Sequence, residues 1–348
     1  MRVVVYSKPF FPRMGGLERN TLTLCSALED LGNDVQLITE TPSDESDDYP
    51  FPVIRTHSAQ RIFRSLSGAD LLIVNGNISL RVHPLAWMRG IPYAVVYHNF
   101  LGYRRQGGGL ATTLENALRG GVAERAAANI FTNTYAEEHS GLPEDTTHVV
   151  FNPVDKRMQG LYGEDCRGSR SSGAPFLFAG RVIEGKGVFV LARALEHLDG
   201  ELEARVVVAG EGRDEKRLRE QVQGLSTVQV DLVGRLDAPE LVEKYQEARA
   251  LLVPSTTHKE GNPLVVAEAI YAGTPVIASD QPPMIESVGS AGMIVERGNA
   301  EELAKAIRVL QTEPETYTEK REYAEDRAGL FGYERYRRQI RDIFGRVG

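Results

Sequence analysis

Short apolar runs punctuate the first half of the chain: Val3–Tyr6, Val35–Thr39, Leu71–Val74, Ala94–Tyr97, Ile130–Asn133 and Val149–Phe151. They are apolar at successive positions, not alternate ones. Such runs bury both faces, as parallel strands do beneath crossover helices. Helix-like stretches such as Leu17–Leu31 and Leu110–Ala128 separate several of them. The pattern stops at Gly163–Pro175, where Gly, Ser, Arg, Asp and Pro leave almost no apolar content. That composition suits a linker. A second series follows, with strands expected at Phe176–Ala179, Arg205–Ala209, Val228–Val233, Ala250–Pro254, Pro275–Ser279 and Gly292–Val295. Helices are expected at Val188–Leu198, Glu215–Gln223, Ala238–Glu247, Pro263–Ala272 and Ala300–Leu310. The expected class is therefore α/β: two doubly wound parallel-sheet domains facing a cleft, with ligands beyond the carboxyl ends of the strands. The expected organisation is 1–162, a linker 163–174, 175–328, and a C-terminal helix 329–348. In that helix Tyr336, Ile340, Ile343 and Phe344 share one face, which must bury against something.

A length of 348 residues suits two domains, and 42% hydrophobic with 25% charged residues argues against wholesale disorder. The net charge of -8 argues against a nucleic-acid binder, which needs clustered cations. Cys25 and Cys166 make neither a disulfide framework nor a metal spacing. Cys25, among leucines, reads as a buried helix residue. No run reaches the ~18 apolar residues that span a bilayer. The start reads as a strand, not a signal peptide, so the expected compartment is cytoplasmic, with peripheral contact at the inner membrane face left open.

The most informative segment runs from Pro254 to Asp280: strand, loop, helix, stop, strand. Pro263 fits the first helical turn, Gly273 the left-handed position after the last, and Pro275 follows. Gly261–Val265 should then offer backbone N–H groups at a helix start, a site for a polar or anionic ligand. Glu260 stands before this helix and Glu268 inside it. Glu260 reads equally as an exposed loop carboxylate. Glu268 reads as a solvated helix carboxylate, but Val265, Val266, Ala267, Ala269 and Ile270 surround it. A carboxylate there should be paired or ligand-bound.

Glu260 and Glu268, seven residues between them, with the Ala-Gly-Thr-Pro-Val-Ile-Ala stop, resemble the E-x7-E signature of glycosyltransferase family 4. Other motifs fall in order over nearly the whole chain. Pro9-Phe-Phe-Pro-Arg-Met-Gly-Gly-Leu-Glu-Arg19 resembles the first glycine loop. Asn152-Pro-Val-Asp155 resembles the segment before the linker. Ala179-Gly-Arg-Val-Ile-Glu-Gly-Lys-Gly187 resembles the phosphate motif, and Val208-Ala-Gly-Glu-Gly212 the Gly-x-Gly turn. The resemblance implies the GT-B fold, with two Rossmann-like domains and a last helix that crosses back to the N-terminal domain.

It also implies roles. Arg181 and Lys186 suit a diphosphate leaving group, Arg bidentately and Lys as a point charge. Both read as solvated cations whose loss leaves folding nearly untouched. Gly15 and Gly16 permit close backbone approach to the phosphates, or are a simple tight turn. Gly210 lets the chain turn past the nucleotide, and Gly234 with Arg235 lies where the family contacts the base. Glu260 and the amides of Gly261, Asn262, Pro263 and Leu264 would hold the sugar, Pro263 contributing no N–H, and Glu268 the ribose hydroxyls. The family often has Gly-Phe-Gly after its first Glu, so Gly261-Asn262-Pro263 leaves the sugar open. His98, in Tyr-His-Asn-Phe, is implied to bond the donor sugar, and the other histidines read as structural or solvated. No Asp-x-Asp ends a strand, so no metal and no cofactor are expected beyond the donor. Arg104 and Arg105, before a glycine run, are candidates for an anionic acceptor or phospholipid headgroups, or a flexible solvated loop. Arg55, Arg61, Arg64, Arg81 and Arg89 make this region arginine-rich, although acids elsewhere cancel any overall basic character.

The reading is a glycosyltransferase that moves a sugar from a nucleotide-diphosphate-sugar (UDP or GDP) to a sugar, lipid-linked or small-molecule acceptor, retaining and metal-free. The rivals are another GT-B nucleotide-sugar enzyme, epimerase or glycogen-synthase-like, and a catalytically silent sugar-nucleotide-binding subunit.

Overall fold

The fold comes from a computed structural model, which describes residues 1–345 apart from 13–14, 45–46, 100–101, 105–106, 108, 163–170 and 172. Arg105, Cys166 and most of the expected linker lie outside the described residues. The chain forms two compact units, Met1–Asp155 with Tyr333–Gly348, and Lys156–Gly332. Sequence composition places the breaks at 162 and 328; the structure places them at 155 and 332.

The first unit holds a seven-stranded parallel sheet: β1 (Arg2–Ser7), β2 (Asp34–Thr39), β3 (Val53–Arg55), β4 (Leu71–Gly76), β5 (Tyr93–Tyr97), β6 (Ala128–Phe131) and β7 (Thr147–Val149), in the order β3-β2-β1-β4-β5-β6-β7. β3 is an addition to the expected strands, because three half-buried residues make too short an apolar run to register. Val3 and Val5 face one core with Leu24 and Leu28, while Val4 and Tyr6 face another with Ile62 and Val122. Both faces are covered, which is why the strands are apolar at successive positions.

The second unit holds β8 (Phe176–Ala179), β9 (Ala204–Ala209), β10 (Val228–Gly234), β11 (Leu251–Val253), β12 (Val276–Ser279) and β13 (Gly292–Val295), in the order β10-β9-β8-β11-β12-β13. In each sheet the chain first winds one way and then restarts on the other side of its first strand. The switch falls between β1 and β4, and between β8 and β11. Ligand sites in such sheets lie at the carboxyl ends of the strands at this point. The tail is two helices, Pro314–Arg327 and Tyr333–Phe344. No helix among the described residues is long and apolar enough to cross a membrane.

His83 is a core histidine. It is fully buried, with Nδ1 2.7 Å from the Ser79 carbonyl and its ring edge-on to Tyr93. Burial, helped by the Arg119 charge, lowers its pKa from 6.5 to about 4. Between these values the unfolded chain binds a proton that the folded chain refuses. Stability should therefore fall as pH drops from 6.5 towards 4, by about 3 kcal/mol from this residue. Urea midpoints across that window check it. His83→Leu should remove this residue's share of the slope and leave that of His98, whose pKa burial also lowers to about 4; an unchanged slope would place its source elsewhere.

Candidate functional site

Lys186 and Glu260, 74 residues apart, meet across the second switch point. Lys186 ends a short turn (Glu184–Lys186) after β8, and Glu260 lies in the loop after β11, four residues before the next helix begins at Leu264. Lys186 Nζ donates to Glu260 Oε1 at 2.6 Å, and Ser255 Oγ donates to the same oxygen at 2.7 Å. The side chains are 17% and 5% exposed, so this is a largely buried ion pair. The Glu260 N–H donates to Gln281 Oε1 at 3.1 Å, and Gln281 Nε2 donates to the Ser255 and His258 carbonyls. Glu260 is thus not an exposed loop carboxylate. His258, which the sequence groups with the structural or solvated histidines, has its Nε2 4.0 Å from Glu260 Oε2. Burial, then the Lys186 charge, holds its pKa below the ordinary value against the pull of Glu260. Arg181, whose charge acts in the same sense, is exposed, as is Arg235.

The glycines of this region owe their identity to backbone packing. A Cβ on Gly187, whose φ is +81°, would lie 1.8 Å from the Pro254 carbonyl oxygen. That approach seats the Lys186 turn on the Glu260 loop. Gly210 has φ +144°, and a Cβ there would meet the Gly180 oxygen at 1.8 Å, while its N–H donates to the Gly234 carbonyl at 2.7 Å. Gly210 therefore joins three adjacent loops of the site.

The helix after Glu260 spans Leu264–Tyr271. Pro263 is its N-cap, with extended backbone, and not a member of its first turn. The N–H groups of Leu264 and Val265 meet no acceptor among the described residues. Gly261 and Asn262 are buried, with Asn262 Nδ2 3.4 Å from Ser287 Oγ. Gly273, at φ +68°, closes the helix, its N–H bonding the Ile270 carbonyl and that of Thr274 the Ala269 carbonyl. Glu268 is fully buried, and its Oε2 accepts from Tyr245 Oη at 2.8 Å. A ribose contact there requires the side chain or its cover to move.

In the first unit, His98 follows β5. Its Nε2 lies 2.7 Å from Asn75 Oδ1. Asn75 Nδ2 donates to Thr21 Oγ1 and Asn20 Oδ1, and Asn20 Nδ2 donates to Asn152 Oδ1. This chain of amides fixes Asn75 Oδ1 as the acceptor, so His98 carries its proton on Nε2 and presents Nδ1 as an acceptor. Burial lowers its pKa to about 4, so it is neutral near pH 7. Gly15 caps the helix Gly16–Asp30, and a Cβ there would lie 2.6 Å from Glu18 Oε2. An acidic side chain thus stands at this helix start. Arg104 is exposed, its guanidinium 5.6 Å from the Tyr103 ring centre.

Sequence reasoning missed Ser255, Gln281, Asn75, Asn20 and Glu18. All five sit at or just after a strand end or in the first turns of the following helix, the one signal that could have found them.

Two family descriptions match the chain in succession: "Glycosyltransferase Family 4" over residues 14–157 and "Glycosyl transferases group 1" over 168–327. A D-inositol 3-phosphate glycosyltransferase of Pseudarthrobacter chlorophenolicus is 31% identical over 169 residues, 46% of this chain and 39% of the relative. The matches span 39 to 41% of the length of such curated relatives. Among solved structures, Anabaena HepE in complex with UDP superposes with a TM-score of 0.80 at 17% identity, covering 99% of this chain and 100% of that one. The sucrose-phosphate synthase of Thermosynechococcus elongatus gives 0.76 at 20% identity, covering 100% and 99%. With one family description on each half and two parallel Rossmann-like sheets beneath them, the chain belongs to the family 4 glycosyltransferases of GT-B fold.

Proposed function

We propose that the chain transfers a sugar from a nucleoside-diphosphate donor to an acceptor hydroxyl, with retention and without a bound metal. The observation that carries the reading is the Lys186–Glu260 pair at the switch point, with Arg181 exposed nearby. Lys186 gives one N–H to Glu260 and keeps two for a diphosphate, while Arg181 offers a planar fork. The N–H groups of Leu264 and Val265 add donors at a helix start. Together they would stabilise the departing diphosphate, and the Glu260 carboxylate would oppose positive charge developing on the sugar. His98, a neutral acceptor at Nδ1, suits a sugar hydroxyl. Among the described residues no three His, Cys, Asp or Glu gather as a metal site.

A thermal-shift panel of nucleoside diphosphates and their sugars tests the donor, with UDP as the first arm because the HepE complex holds it. At a hundredfold excess over Kd the bound nucleotide should add about 2.7 kcal/mol. Sugar-nucleotide turnover should continue in EDTA. No shift with any nucleotide would sink the donor assignment. Activity lost to chelator and restored by Mg²⁺ or Mn²⁺ would overturn the metal-free part.

A further inference from the structure

Gln281 is 2% exposed and stands just after β12, as the N-cap of the helix Pro282–Val288. Its side chain does not cap that helix. It crosses instead to the loop after β11. Its Oε1 accepts the Glu260 N–H at 3.1 Å, and its Nε2 donates to the Ser255 carbonyl at 3.3 Å and the His258 carbonyl at 3.2 Å. One N–H and two carbonyls as partners fix which end of the amide is oxygen. The whole amide is thus committed to one short loop. The other flank of that loop is held by backbone, with the Thr256 and His258 N–H groups donating to the Gly185 carbonyl at 3.0 and 3.1 Å. Residues 255–260 are therefore clamped between the Lys186 turn and a single glutamine.

The bonds fall where they govern the carboxylate. One fixes the backbone of Glu260 itself. Another fixes the backbone of Ser255, whose hydroxyl holds Glu260 Oε1 at 2.7 Å beside Lys186. With Oε1 taken by two donors, Oε2 is the oxygen that can meet a sugar. We propose that Gln281 is a positioning residue for transfer: it sets the loop so that Oε1 stays on Lys186 and Ser255 and Oε2 faces the donor sugar. The proposal rests on the reading of Glu260 as the carboxylate that meets that sugar. A side chain placed by a braced backbone keeps its geometry through the reaction, which is what electrostatic stabilisation of a developing charge requires. No other side chain substitutes simply. Met matches the length of Gln and makes none of the three bonds. Glu keeps an acceptor for the Glu260 N–H but sets a carboxylate against two carbonyl oxygens.

Gln281→Met, Glu260→Gln and the double variant test it together. Hydrogen exchange of the ligand-free protein over residues 255–262 should be faster in Gln281→Met, because the Glu260 N–H loses its acceptor. UDP, or whichever nucleotide the thermal-shift panel selects, should bind this variant as it binds the parent, since Arg181, Lys186 and Glu268 lie outside the loop. With the matching sugar-nucleotide, kcat should fall about a hundredfold, the cost of a misplacement near 1 Å. Gln281→Glu should be slower still. The double variant should be no slower than Glu260→Gln alone, because a residue that acts through one carboxylate adds nothing once that carboxylate is gone. Parent-like exchange or parent-like kcat in Gln281→Met would overturn the proposal. Nucleotide affinity lost along with kcat would overturn it too, by making Gln281 a residue of the fold, as would a double variant slowed by the product of the single effects. Parent-like turnover of Glu260→Gln would sink the reading of Glu260 itself, and this proposal with it.

Discussion

Lys186→Ala is expected to lose both turnover and stability, whereas Arg181→Ala should lose turnover alone. The sequence treats both as solvated loop cations whose removal leaves folding untouched. The structure separates them. Glu260 is 5% exposed and takes Lys186 at 2.6 Å, so removing the ammonium leaves a buried carboxylate with only Ser255 on that oxygen. Breaking a buried pair from one side costs about 3–5 kcal/mol, a large share of a total near 5–15 kcal/mol. Arg181 is exposed and makes no ion pair among the described residues, so its loss should leave the denaturation midpoint alone. Its loss should still remove a charge-assisted contact to the leaving diphosphate, about 2–4 kcal/mol or some thirtyfold to a thousandfold in kcat. A double variant, Lys186→Met with Glu260→Gln, should regain stability without regaining turnover, because the buried charge goes with its partner. Urea titration and turnover of the three proteins decide it. Parent-like melting of Lys186→Ala would show the pair to be solvated. Parent-like turnover of Arg181→Ala would remove that residue from the phosphate site.

The same pair shows what the sequence could and could not reveal. The strands were legible because both faces of each sheet are buried and leave an unbroken apolar signature. β3 was not, because Val53–Arg55 is three residues long. Glu268 was legible as a carboxylate that must be satisfied within an apolar helix. Its partner Tyr245 was not, since it lies on another helix and no local spacing links the two. Gly187 and Gly210 announced themselves as glycines, yet the reason, contact with the Pro254 and Gly180 carbonyls, is a long-range fact of sheet order. His98 was found through its motif, but its tautomer depends on Asn75, Asn20 and Asn152 from three other segments. Local chemistry is written in local sequence; pairings across a switch point are not.

Deleting Tyr333–Gly348 is expected to unfold the first unit and leave the second folded. The helix Tyr333–Phe344 buries Tyr333, Tyr336, Ile340, Ile343 and Phe344 in the same core as Val3, Val5, Leu24 and Leu28. The apolar stripe legible in the sequence is thus a core face of the N-terminal unit. Tyr333 Oη also donates to Asp30 Oδ2 at 2.8 Å, tying the helix to Gly16–Asp30. Five such side chains at about 1.5–3 kcal/mol each sum to roughly 7–15 kcal/mol, an upper estimate that equals the whole stability of a typical domain. The second unit keeps its own core, built from Phe176, Val206, Leu252 and Ile277 under the helices Val188–Leu198 and Ala300–Thr312. Calorimetry of the truncated chain should therefore lose the transition of one unit and retain that of the other. Turnover should vanish, because His98 sits in the unit that unfolds. Ile340→Ala gives a graded version: a buried methylene loss of about 2–5 kcal/mol, confined to the first unit's transition. If the truncated chain kept both transitions, the helix would not belong to that core, and the contact of Tyr333 with Asp30 would not hold in solution.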